Sequence, residues 1–79
     1  MPTTDEIRTK LISILADHDL LDRQGKLIAP DSMAMVLISM QIENLWAPFP
    51  QECLEVQNFA SIDSIVAMIE TLIRRASAS

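Results

Sequence analysis

Apolar residues recur at spacings of three and four in three separate stretches of the chain. In the first, Ile7, Leu11, Ile14 and Leu15 share one helical face and Ile12 lies off it. Thr3 or Thr4 stands where a hydroxyl can cap free N–H groups, and Asp5 and Glu6 suit the positive end of a helix dipole. The pattern predicts a helix from about Thr4 to Asp17. In the last stretch, Ile62, Ile65, Val66, Ile69, Leu72 and Ile73 form a stripe behind Ser61, another capping residue, and Ala76 to Ser79 are expected to fray. Asp19 to Pro30 reads as a loop around the only glycine, Gly25, with Leu20, Leu21, Leu27 and Ile28 expected to pin it to the core. A middle helix is predicted from Ser32 to about Trp46, capped by Asp31 or Ser32 and stopped by Pro48. Gln51 to Gln57 predicts a short helix with Phe59 anchoring its far end. The expectation is an all-α fold spanning 1–79 as a single domain: three main helices, one short one and a long first loop.

The middle helix carries two apolar faces. At about 100° per residue, Met35, Ile38, Ile42, Leu45 and Trp46 fall in one sector, an ordinary core-facing stripe. Met33, Val36, Leu37 and Met40 fall in another, nearly opposite. Such a helix is either central and buried all round or exposes one face. An exposed face of Met, Val and Leu points to a partner, because Met adapts to varied apolar surfaces.

Composition agrees with helices: there is no Tyr, and aromatic residues make up 4%, where sheets favour them. A chain of 79 residues buries only roughly 60% of its unfolded surface. That leaves one small core and no walled substrate cleft, so an enzyme is not expected. The net charge of −5 disfavours nucleic acid as a partner. MPTTDEIRTK places acid before any apolar run, unlike a signal peptide, and no stretch has the length of a membrane span. No membrane insertion and a cytoplasmic location are the resulting expectations.

Side chains that could do chemistry are few. Cys53 stands alone and reads as a small apolar residue rather than a nucleophile, since His18, the only histidine, is remote in sequence. His18 suits the end of the first helix. Trp46 and Phe49 read as core closers, and Arg74 and Arg75 complement the last dipole. Asp17, Asp19 and Asp22 lack the spacing of a cation loop and read as solvated charges, so no metal is expected.

The order of elements carries more. A long loop ends in Asp31–Ser32–Met33 and opens directly into DSMAMVLISMQIENLW. The stretch FPQECLEVQNFASIDSIVAMIETL follows, in an acidic chain. From about Asp31 to Leu72 this resembles the acyl carrier protein family, including its peptidyl and aminoacyl relatives, whose pattern is Asp–Ser–Leu at the start of the second helix. The resemblance implies 4′-phosphopantetheine on Ser32, with Asp31 as the adjacent recognition and capping residue. It further implies cargo held as a thioester; the partner-binding face expected from the helix pattern is Met33, Val36, Leu37 and Met40. The implied partners are a phosphopantetheinyl transferase, an acyl- or amino-acid-activating ligase, and a downstream transferase or synthase, acting on a monomer. Spacing from Pro50 through Ile65–Val66 looks most like the D-alanyl and other aminoacyl carriers.

Three positions depart from the family pattern. Ala29–Pro30 stand where glycine is common, Met33 replaces leucine, and the second helix holds only Glu43 as an acid. Leu37 falls where fatty-acid carriers commonly place a carboxylate, which implies partners that read apolar contact. The alternative to a carrier is a helical interaction module with the same fold and no prosthetic group.

Overall fold

The computed structural model describes residues 2–78. Three α-helices form: α1 at Thr4–Asp17, α2 at Ser32–Leu45 and α3 at Ile62–Ala78. The predicted stripes are buried except at Leu45, which is exposed, and at Trp46 and Ile62, which are half-buried. Ile7, Leu11 and Leu15 of α1 join Met35, Ile38 and Ile42 of α2 and Ile65, Val66, Ile69, Leu72 and Ile73 of α3 in one core, and Ile14 of α1 is buried outside that cluster. Met68 joins the α3 stripe one turn beyond Ile65, and Ala47 and Phe59 close the core.

The ends of the helices follow local chemistry. Thr3 is the cap of α1, its hydroxyl accepting the Glu6 N–H at 3.1 Å. Ser61 does the same for Ser64 at the start of α3. The α2 helix ends at Leu45, one residue short of the expected bound, with Trp46 as its C-cap ahead of Pro48. The α3 helix does not fray at Ala76: it runs through Ala78, where alanines sustain helix without help from packing. Ser79, the last residue of the expected frayed tail, lies outside the described residues.

Two bonds set the direction of α1 against α3. The Thr4 hydroxyl donates to Glu70 at 2.7 Å, and Arg8 pairs with Asp63. As the α1 number rises, the α3 number falls, so the two helices run antiparallel. Both pairs are exposed, so they add little stability in water. The apolar contact behind them holds the helices.

The expected short helix is instead two 3-10 turns, Gln51–Cys53 and Val56–Phe59, with extended backbone at Glu55 between them. The Asn58 amide donates to the Cys53 carbonyl at 2.8 Å and takes over an acceptor that an α-helix would have used. β-Branched Val56 and Asn58 also have modest helix propensity. Phe59 does anchor the segment: it is fully buried, with its ring 6.2 Å from that of Phe49. Phe59→Ala is expected to cost about 3–5 kcal/mol in urea unfolding; a change below about 1 kcal/mol would mean that the core closes without the ring.

Candidate functional site

The first loop is what delivers α2. After α1 the chain reverses at Asp19, in the left-handed region with φ 57°. Asp residues tolerate that conformation better than most. Leu20 donates back to the Leu15 carbonyl at 2.8 Å, and Ile28 donates to Leu20 at 2.8 Å. Leu21 and Leu27 form an antiparallel bridge. The turn between them is held by the Asp22 carboxylate, which accepts from the Gln24 and Lys26 N–H groups at 2.8 and 2.9 Å. Gly25 takes φ 78°, which a side chain would strain. Leu20, Leu21 and Leu27 pack on the core as expected, but Ile28 does not: it is exposed. The Leu21–Leu27 bridge already ties the loop down, and Ile28 lies beyond it.

Asp31 rather than Ser32 is the cap of α2. Its backbone is extended, its carboxylate accepts the Ala34 N–H at 2.8 Å, and its carbonyl accepts the Met35 N–H at 2.9 Å. Ser32 is thereby freed from capping. It is the first helical residue, it is exposed, and no hydrogen bond among the described residues engages its hydroxyl. Helix geometry leaves the N–H groups of Ser32 and Met33 ahead of the first helical bonds, at the positive end of the dipole.

The second apolar face of α2 is open to solvent rather than buried. Met33 is 83% exposed, Met40 56% and Val36 43%, while Met35, Ile38 and Ile42 are buried. Leu37 is half-buried and is not among the side chains packed on the core. Leu45 departs from the expected core stripe and is exposed. It is the last residue of the helix, where the chain turns off toward Pro48. Trp46 and Phe49 are half-buried against the core, as their reading required.

A cleft of about 190 Å³ continues this face. Val36, Ser39 and Met40 of α2 form one wall, and Phe49, Gln51 and Leu54 the other. Glu43 fastens the walls, its carboxylate accepting the Phe49 N–H at 3.2 Å. The pattern of apolar residues gives no hint of this clasp, because it joins a helix to an irregular connection across Pro48. The cleft follows from the connection's path, and periodicity carries no information about that path.

Other candidate side chains stay apart. His18 is the exposed C-cap of α1, and Cys53 is half-buried in the first 3-10 turn. Asp22 serves its own turn. Among the described residues no group of three or more His, Cys, Asp or Glu side chains could hold a metal ion, and no helix is long and apolar enough to cross a membrane. No protein-family model, curated protein or solved structure matches the chain.

Proposed function

We propose that the chain is a carrier protein that holds an acyl or aminoacyl group as a thioester on a 4′-phosphopantetheine arm attached to Ser32. The observation that carries this reading is the disposition at the start of α2. An exposed serine with an unengaged hydroxyl occupies the first helical position, Asp31 takes the capping duty, and an exposed apolar face begins at the next residue.

These residues fit the group. The Ser32 hydroxyl is open to a transferase, and the neighbouring N–H groups and dipole favour the negative phosphodiester that its modification creates. The arm, when bound, supplies a terminal thiol for thioester chemistry. The chain's own residues orient and present: Asp31 fixes the helix start and offers a carboxylate beside the hydroxyl, and Met33, Val36, Leu37 and Met40 form the partner-contact face. Loading and transfer belong to a phosphopantetheinyl transferase, an activating ligase and a downstream transferase or synthase. Amino-acid cargo is the preferred subclass, from the spacing of the segment between Pro50 and Val66.

The test is intact mass after incubation with coenzyme A and a broad-specificity phosphopantetheinyl transferase. The wild type is expected to gain one phosphopantetheine, and Ser32→Ala none. No gain by folded wild type with any transferase would overturn the carrier reading. The exposed α2 face would then support the other one, an interaction module without a prosthetic group.

Asp31→Asn gives a finer test. Asn caps about as well as Asp, so the melting temperature is expected to hold within a few degrees. The loading rate of Ser32 is expected to fall about tenfold, because the charge beside the hydroxyl is gone. Loading at the wild-type rate would confine Asp31 to capping.

A further inference from the structure

After Lys26 the chain carries no Lys or Arg until Arg74 and Arg75. Ala76 and Ser77 follow, so two guanidinium groups stand three and two residues ahead of a hydroxyl. Arg74, Arg75 and Ser77 are all exposed. Arg74 reaches only the Thr71 hydroxyl, at 3.4 Å, and Arg8–Asp63 is the only ion pair among the described residues. No hydrogen bond among the described residues engages the Ser77 hydroxyl.

Helix α3 leaves the core just before this run. Leu72 and Ile73 are its last buried residues, and every side chain from Arg74 to Ala78 is exposed. The last four carbonyls of a helix have no partner within it, and a turn without buried apolar contact opens at the low end of local unfolding free energies. Ser13 shares the pattern in part: it is exposed, with Lys10 three residues ahead of it. It lies inside α1, however, flanked by buried Leu11 and Ile14. Drawing Ser13 into an extended segment would pull the α1 stripe out of the core, whereas drawing out Ser77 leaves every buried side chain of α3 in place.

We propose that Ser77 is a phosphorylation site for a protein kinase whose substrate cleft is lined with carboxylates. The kinase takes residues 74–77 in extended form and pairs its carboxylates with both guanidinium groups. The Ser77 Oγ forms a bond to the γ-phosphorus of a nucleoside triphosphate, the bond from that phosphorus to the β,γ-bridging oxygen breaks, and the nucleoside diphosphate leaves. The hydroxyl proton passes to a base of the kinase. The product sets a charge of about −1.5 to −2 at the C-terminal end of the α3 dipole, where anions are disfavoured. Arg74, three residues back on the same face, is the cation placed to receive it. Modification thus rearranges the last turns of α3 and spares the core. The proposal is independent of Ser32 and of any cargo.

The test uses the full chain with ATP, magnesium and two purified kinases, one with an acidic and one with a basic substrate cleft, read by intact mass and peptide mapping. The acidic-cleft kinase is expected to transfer one phosphoryl group to the wild type and none to Ser77→Ala, and the basic-cleft kinase to leave Ser77 unmodified. Arg74→Ala and Arg75→Ala should each lower kcat/KM at least about tenfold, since each removes a charge pair made in the cleft. Arg74→Lys and Arg75→Lys keep the charge and should recover part of the rate, which a merely structural role in ending the helix would not produce. All these positions are exposed, so melting should match the wild type. Amide shifts on phosphorylation should be confined to the last two turns of α3, and Ser32→Ala should be phosphorylated at the wild-type rate.

No transfer to the folded wild type would overturn the proposal. So would transfer that persists in Ser77→Ala, with Ser13 or Ser79 as the acceptor, equal action of the two kinases on Ser77, or unchanged rates in both alanine variants. Loading of Ser32 with no phosphorylation of Ser77 would sink this inference alone. Phosphorylation with no loading would sink the carrier reading alone.

Discussion

Ile65→Ala and Ile69→Ala are each expected to lower the free energy of unfolding by about 2–5 kcal/mol. Both side chains are fully buried where α3 meets the other two helices. Truncation removes apolar contact and leaves a cavity that a close-packed interior does not refill. A domain of this length holds about 4–12 kcal/mol in all, so either change should consume a large share of it. Urea melts are the measurement. A midpoint equal to wild type would show that the α3 stripe is not the core. Val56→Ala is the matched control, since that side chain is largely in water; it should change stability by less than about 0.5 kcal/mol.

Met33→Glu and Met40→Glu should have the opposite profile. Both positions are exposed, so a carboxylate there stays hydrated and circular dichroism and melting should stay close to wild type. Loading of Ser32 by a transferase is expected to fall at least tenfold, roughly the 1.4 kcal/mol or more that truncating a central apolar anchor costs. Unfolding of these variants would mean that α2 is buried all round. Unchanged loading would mean that partners approach from another side. Leu37 is a poorer site for the test, because it is half-buried and a charge there would mix the two effects.

The family resemblance and the exposed face point to the same end of the molecule by different routes. The resemblance rests on the order Asp31–Ser32–Met33 and on the elements that follow. The face rests on solvent exposure along α2. Ser32 opens the helix that carries Met33, Val36 and Met40, so a group attached there starts beside the surface a partner would cover.

Pattern alone determined the three helices, because each has at least one apolar stripe at helical spacing and a capping residue in front of it. Thr3, Asp31 and Ser61 act within three residues of themselves, and such local chemistry is written in the order of residues. The stripes also named the core: Ile7, Leu11, Ile38, Ile42, Ile65 and Ile69 are all buried. What pattern left open was whether the second face of α2, with Met33, Val36, Leu37 and Met40, is buried as well or faces solvent. That choice depended on how many neighbours surround α2, a property of packing and not of the helix. The same holds for Leu45 and Ile28, apolar by type but placed where the chain leaves the core. The break at Leu54–Glu55 depended on Asn58 reaching the Cys53 carbonyl. The cleft closed by Glu43 and Phe49 depended on the path across Pro48. Each of these is a contact between segments of different geometry, and only the folded chain brings such segments together.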